Sequence, residues 1–314
     1  MPMKITDYLA LNLDQAAPES VNGCSNADVR EALNHPSDFY TPSIEAQALS
    51  PGLQGHIVKL ADWSASRIYP HSTRDIWFYR PVSVDSAADM KNIFFNDGAA
   101  YLSRSGAVRA TRVLDHLHHT QAIGNTIAAF INPGVPAAQH VPDVPIESYG
   151  PSQAQRSWEY DRLTADYGRF LIEEILPLAE VSLDCRISTA ASDRIVCGIS
   201  SGGIAAFNAA WHFPASFANV ISHCGSFTNI WGGHNYPYLI RTTPRKPIRV
   251  FLQSGENDAQ TLFGDWGLAN KAVASALRYA GYPIRFEFGV GGHTLKHAGA
   301  CFADALRWLG STAD

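Results

Sequence analysis

From about residue 52 the chain alternates two kinds of pattern. Short, mostly apolar runs give strand candidates at 92–95, 126–131, 194–197, 218–222 and 248–253, with a further candidate at 284–288, where apolar residues alternate with charged ones. Between them lie longer stretches whose apolar positions return every three or four residues, at 108–120, 160–179, 202–212, 267–280 and 298–309. In the stretch 160–179, Tyr167, Phe170, Leu171, Ile175 and Leu178 fall on one helical face. Runs apolar at every position suit strands covered on both sides, and their alternation with helices predicts βαβ units around a mostly parallel sheet. Two further strands are expected at 55–63 and 74–80, separated by the turn-like Tyr69-Pro70-His71-Ser72. They read as a β-hairpin, which adds an antiparallel edge near the N-terminal side. Residues 1–50 are rich in Asn, Ala, Ser, Asp and Pro, with only a helical hint at 27–33. They hold too few apolar side chains to close a core and read as an arm or cap on one domain spanning 51–314.

Composition narrows the class of molecule. The 314 residues are 46% hydrophobic and 17% charged, the balance of a protein with a large core. The formal net charge is −5, from 24 Lys+Arg against 29 Asp+Glu, with no basic stripe, so nucleic acid is not an expected partner. No apolar run approaches the roughly 18 residues of a membrane span, and the first residues lack a secretory pattern. No membrane association is therefore expected. The five cysteines, Cys24, Cys185, Cys197, Cys224 and Cys301, form no CxxC pair. They read as reduced, mostly buried thiols in a reducing, cytoplasmic setting.

The chemistry is concentrated in Gly198-Ile199-Ser200-Ser201-Gly202. A G-x-S-x-G pattern is weak alone. Here a buried strand precedes it and a helix of small residues follows, which is the setting of a nucleophile elbow. Glycines at 198 and 202 let strand and helix approach closely around a strained serine. Ser200 is the candidate nucleophile. The backbone N–H of Ser201, at the start of the helix, is a candidate oxyanion donor. A second donor is expected on the loop after an early strand, Asn96-Asp97-Gly98-Ala99, at the Ala99 N–H.

A serine hydroxyl needs a base, and the base an orienting acid, on loops after later strands. His293 follows the strand at 284–288 through Gly289-Val290-Gly291-Gly292 and is the candidate base. His297, four residues on, lacks the HExxH context of a metal pair, and no metal or cofactor is expected. After the strand at 248–253, either Glu256 or Asp258 can orient the imidazole, and spacing favours Asp258. His116, His118 and His119 read as a solvated helix face. Trp231, His234 and Tyr236, beyond the strand that follows the elbow helix, are candidate pocket walls, and Trp266, near the acid loop, reads as a core residue. Arg156-Ser157-Trp158-Glu159-Tyr160-Asp161 reads as a charged loop at a helix start, with Glu159 as a tentative polar contact to substrate.

These motifs resemble the esterase branch of the α/β-hydrolases that holds enterochelin esterases, esterase D-type enzymes and feruloyl esterases. The resemblance runs through Asn96-Asp97-Gly98, Phe130-Ile131-Asn132-Pro133-Gly134, Glu159-Tyr160-Asp161, Glu173-Glu174-Ile175-Leu176-Pro177, the elbow, Gly225-Ser226-Phe227, Asn257-Asp258 and Gly291-Gly292-His293. It covers about residues 65 to 310. It implies an α/β-hydrolase fold, a Ser200–His293–Asp258 triad with oxyanion donors at Ala99 and Ser201, and hydrolysis of a small-molecule carboxylic ester through an acyl-enzyme. The Ser-Ser-Gly-Gly form of the elbow points to the enterochelin-esterase-like side. Candidate cations for an anionic siderophore are scattered, at Arg104, Arg156 and Arg241. An acyltransferase, a siderophore-lactone esterase and a non-catalytic binding module are the alternatives.

Overall fold

The computed structural model describes residues 20–21, 24–25, 35–82, 89–144 and 149–311. The helical hint at 27–33 lies outside the described residues. The central sheet runs through β1 (His56–Trp63), β2 (Ser72–Arg80), β3 (Lys91–Asn96), β4 (Thr126–Ile131), β5 (Arg194–Ile199), β6 (Asn219–His223), β7 (Arg249–Asn257) and β8 (Ile284–Gly292). Their spatial order is β8-β7-β6-β5-β3-β4-β2-β1. From β8 to β4 all neighbours are parallel. β2 joins β4 antiparallel and pairs with β1 as the expected hairpin. The short segment Val135–Pro136 pairs with the start of β2.

Why these segments are strands is visible in their burial. Every residue of β4 and of β6 is buried, and β3 is buried except at Lys91. Helices cover both faces. One core layer gathers Phe94, Val196, Ile204, Phe207, Val220, Leu252 and Val273; the other gathers Phe95, Phe130, Cys197, Ile221, Phe251 and Phe302. Successive side chains of a strand point to opposite faces, so neighbours such as Phe94 and Phe95 enter different layers. The helices are α1 (Gly98–Leu102), α2 (Ala110–His119), α3 (Pro151–Tyr160), α4 (Asp166–Phe170), α5 (Leu176–Leu183), α6 (Ser201–His212), α7 (Tyr236–Thr242), α8 (Trp266–Tyr279) and α9 (Leu295–Gly310). Among the described residues, no helix is long and apolar enough to cross a membrane.

The helix expected at 160–179 is corrected. Tyr160 ends α3 instead of starting a helix, and the second helical run begins at Asp166. The overlooked start signal is Pro151 in the first turn after Gly150, whose N–H donates to the Gln153 side chain. A π-helical turn at Leu171–Ile175 joins α4 to α5 directly before Pro177. Proline has no N–H to donate and crowds the carbonyl four residues back; a wider turn before it lets the helix continue.

Residues 35–46 of the arm lie against the segment joining β8 to α9. Ser37 Oγ accepts from the Gly292 N–H at 3.1 Å, and the Tyr40 hydroxyl accepts from the Val290 N–H at 3.2 Å. The Tyr40 ring stacks on His297, centroids 4.1 Å apart at 11°. Asp38 pairs with Lys296, Glu45 with Arg307, and Ala46 is buried in the second core layer. The arm thus ties down the backbone immediately before His293. Tyr40→Ala removes one tether and the stacking contact, a loss of about 2 kcal/mol that lowers Tm by a few degrees. Tyr40→Phe keeps the stack and should lose less. Thermal unfolding checks both, and amide exchange at Val290 should accelerate in each.

Candidate active site

The parallel strands deliver their C-terminal ends to one side of the sheet, where an open α/β sheet holds its ligands. β5 ends at Ile199, and α6 starts at Ser201. Ser200 between them stands at φ 59°, ψ −125°, a conformation few side-chain-bearing residues adopt. Close approach explains the flanking glycines. A Cβ on Gly198 would strike the Gly202 carbonyl; one on Gly202 would lie 2.8 Å from Asp97 Oδ2 and 3.1 Å from Asn96 Cβ. Backbone bonds hold the turn: Ser200 N–H donates to His223 O at 2.9 Å, and Ser200 O accepts from Gly203 N–H at 2.9 Å and Ser226 N–H at 3.1 Å.

Ser200 Oγ lies 2.9 Å from His293 Nε2, and His293 Nδ1 lies 2.5 Å from Asp258 Oδ1. Ser254 Oγ donates to Asp258 Oδ2 at 2.5 Å, and the Ala259 N–H donates to Oδ1 at 2.8 Å. A carboxylate beside Nδ1 fixes the proton on that nitrogen and leaves the Nε2 lone pair for the serine hydroxyl. Burial pulls the Asp258 pKa up, but hydrogen bonds from His293, Ser254 and Ala259 outweigh it and hold the carboxyl below its ordinary range. Glu256, the alternative acid, points into solvent. The Cys224 thiol, pushed well up by burial, also lies here. Its sulfur, an Asp258 oxygen and a His293 nitrogen fall within 4.8 Å of one another. The shared Nδ1 proton and the protonated thiol make this a hydrogen-bonded set rather than three free metal donors.

The loop after β3 faces the elbow. Asn96 Nδ2 donates to Gly202 O at 2.7 Å while its Oδ1 accepts from the Tyr167 hydroxyl at 2.6 Å. Asp97, at φ 54°, donates its N–H to the Tyr160 hydroxyl at 3.2 Å. Arg156 grips both Asp97 carboxylate oxygens, at 2.7 and 2.8 Å, and reaches Ile199 O at 3.4 Å. Arg156 therefore links the β3 loop to the elbow. Ser201, first in α6, carries an N–H that its own helix leaves unpaired. The Ala99 N–H already has an acceptor, Asn132 Oδ1 at 3.0 Å.

Of the candidate pocket residues, Trp231 is half-buried; its indole N–H donates to Ser157 Oγ at 3.2 Å and its ring meets Trp158 edge-on. His234 is exposed on a short 3-10 turn at Gly233–Asn235. Two expectations need correcting. Tyr236 is sealed in the core, its hydroxyl on Asn208 and its ring edge-on against Phe207, Trp211 and Phe227. Glu159 is buried too, paired with Arg74 at 2.7 Å and accepting from Gln155 at 2.7 Å. Both face inward because α3 and α7 pack those sides against the sheet and α6. His118 and His119 line a separate cavity with Asp115 and Asn125. His297 is held under Tyr40. Sequence reasoning assigns no role to Asn132 and Ser226, although both lie in motifs that carry the resemblance. Trp266, buried and edge-on to His293 at 5.8 Å, adjoins an aromatic cluster with Tyr149, Trp231 and Phe263.

The strand order, the strained serine between β5 and α6 and the later His- and Asp-bearing loops define the α/β-hydrolase fold. The profile of the family described as "Putative esterase" matches residues 69–309, and the chain belongs to that family. It is 28% identical over 158 residues to the iron(III) enterobactin esterase of Dickeya dadantii, a match covering 44% of this chain and 33% of the relative. The enterobactin esterase of Shigella flexneri superposes with a TM-score of 0.62 at 19% identity, over 86% of this chain and 62% of that one. The CE1 ferulic acid esterase of Anaeromyces mucronatus gives 0.62 at 16% identity, over 85% and 96%. The chain thus spans less than two thirds of either enterobactin esterase.

Asp161 is the unusual group of the site. It caps the C-terminal end of α3, opposite to the helix start expected for it, and neither carboxylate oxygen has a hydrogen-bond partner. Burial pushes its pKa from 3.8 up to about 6, against the pull of the Arg156 charge. Between those values the folded chain keeps a proton that the unfolded chain releases. Stability from this group is therefore complete below about pH 4 and falls as pH rises to about 6. Asp161→Asn should raise Tm at about pH 7.5, with the gain vanishing toward pH 4, as thermal unfolding across pH would show.

Proposed function

We propose that this chain is a serine carboxylesterase in which Ser200 is the nucleophile, His293 the general base and acid, and Asp258 the group that orients the imidazole. The observation that carries the reading is the unbroken line from Ser200 Oγ through both His293 nitrogens to Asp258, at 2.9 and 2.5 Å. His293 takes the serine proton as Oγ attacks the ester carbonyl and returns it to the leaving alcohol; water then releases the acyl group by the same route. The carbonyl oxygen, as it becomes negative, lies toward the N–H of Ser201 at the helix N-terminus. For Ala99 to donate as well, the substrate oxygen takes the place now held by Asn132 Oδ1. No cofactor enters this scheme.

Family membership and the esterase relatives support ester hydrolysis. The site charges favour a neutral ester. Arg156 is committed to Asp97, Arg241 stacks on Tyr279, and Arg104 lines a cavity beside Asp115. The aromatic cluster beside Trp266 suits a compact apolar or aryl group. A catecholate trilactone is the second substrate class, on the strength of the enterobactin-esterase relatives. Residues 51–314 would form the catalytic domain, with the arm buttressing its histidine loop.

Turnover of p-nitrophenyl butyrate should fall by about a thousandfold or more in Ser200→Ala, with fluorophosphonate labelling lost. Asp258→Asn should cost far more than Glu256→Gln, and the opposite ranking would reassign the acid. Across a panel of aliphatic, aryl and feruloyl esters and a catecholate trilactone, kcat/KM should be highest for a neutral ester; the reverse preference would overturn the substrate reading.

A further inference from the structure

We propose that Ser226 is a further catalytic residue, a hydroxyl that donates to Ser200 Oγ and stabilises the charge this oxygen acquires as it attacks and as it leaves. The proposal deepens the esterase reading and rests on it.

The argument is one of proton direction. Ser226, on the turn after β6, is buried, and its Oγ lies 3.3 Å from Ser200 Oγ. The Trp266 indole nitrogen lies 3.1 Å from the same Ser226 oxygen. An indole N–H only donates, so Ser226 Oγ accepts from it and its own hydrogen is free for another acceptor. Ser200 commits its hydrogen to His293 Nε2, because the Nδ1 proton is committed to Asp258. The lone pairs of Ser200 Oγ remain, and among the described residues they are the acceptor beside Ser226. The result is a directed chain from Trp266 N–H through Ser226, Ser200 and His293 to Asp258. The Ser226 backbone N–H, at 3.1 Å from Ser200 O, fixes the two serines relative to each other.

At 3.3 Å the hydroxyl contact is long for the resting, neutral pair. It shortens and strengthens when Oγ carries negative charge, and an interaction stronger in the transition state than in the ground state raises kcat. The bond changes balance as follows. As Oγ bonds to the carbonyl carbon, its proton passes to His293 Nε2, then to the departing alkoxide as that C–O bond breaks. Water, deprotonated by His293, adds to the acyl carbon. The C–Oγ bond then breaks, its electron pair returns to Oγ, and His293 reprotonates it. Ser226 keeps its own proton throughout. Trp266 is a positioning residue, holding the Ser226 hydroxyl so that its hydrogen faces Ser200.

The test compares wild type, Ser226→Ala, Trp266→Phe and the double variant, with fluorophosphonate titration of active sites and p-nitrophenyl acetate kinetics. Per titrated site, Ser226→Ala should lose about ten- to thirtyfold in kcat with KM within about twofold, and the fluorophosphonate labelling rate should fall in parallel. Trp266→Phe should lose about threefold, and the double variant should be no worse than Ser226→Ala, since both act through one oxygen. A Ser226→Ala enzyme with wild-type kcat per site overturns the proposal, as does a double variant whose losses multiply. If Ser226→Ala does not fold, Trp266→Phe decides alone: unchanged kcat and labelling rate overturn it. A wild-type chain that takes no label and turns over no ester brings down the esterase reading itself, an outcome distinct from a labelled wild type matched by its Ser226 variant.

Discussion

The backbone at Ser200 is the constraint on which the site depends. A left-handed φ at a residue with a side chain costs on the order of 1–3 kcal/mol, so the surroundings must enforce it. They do so from neighbouring strands on both sides. β6 supplies the His223 carbonyl for the Ser200 N–H and, just beyond, the Ser226 N–H for the Ser200 carbonyl. β3 supplies Asn96, whose amide holds the Gly202 carbonyl. The two glycines allow this because any Cβ at 198 or 202 would occupy space already filled by backbone or by Asp97. The same crowding that strains the serine sets it at the turn between β5 and α6, ahead of the first N–H of α6, which its own helix leaves unpaired.

With that turn fixed, each remaining component arrives at the end of its own strand and is held by something other than its functional partner. Asp258 is held by Ser254 and its own loop backbone, so its hydrogen bond to His293 is not its only tether. The His293 loop is held by Tyr40 and Ser37, 250 and 255 residues away in sequence. The β3 loop is held by Arg156 and Tyr160 from α3. Precision of this kind depends on rotamers locked by surrounding contacts rather than on the contacts among Ser200, His293 and Asp258 alone.

Chemistry written into contiguous residues is legible from the chain itself. The elbow declares itself because strand, Gly-x-Ser-x-Gly and small-residue helix are adjacent in sequence. The strands β3 to β7 are legible because burial on both faces requires apolar runs, whereas the half-buried edge strand β8 shows itself by alternation, Ile284-Arg285-Phe286-Glu287-Phe288. What stays hidden depends on contacts between distant segments. Nothing near Glu159 announces that Arg74, 85 residues earlier, will bury it; a charged residue in a polar stretch reads as solvent-facing until a partner appears. Tyr236 looks like a pocket wall because it follows Trp231 and His234, yet α7 turns it into the core. Asn132 and Ser226 carry the resemblance without a role, since an amide or a hydroxyl gains meaning only from what stands opposite it. The start of α3 is readable in Gly150-Pro151, but the amphipathic stretch after Tyr160 draws the boundary to the wrong place.

Charge around the elbow follows from how the β3 loop is held. Asp97 and Asp161 both stand near the helix N-terminus that would face a developing oxyanion, and an uncompensated carboxylate there would oppose it. Arg156 offsets Asp97 through two hydrogen bonds, and burial raises Asp161 to about 6 so that it gives up its proton reluctantly. Near neutral pH one of these negative charges is still left without a matching cation. A polyanionic ligand bound against this side would meet that charge in a poorly screened setting, whereas a neutral ester would not. The arrangement that keeps the β3 loop in place therefore also sets the charge of this side, because Arg156 is spent on holding the loop.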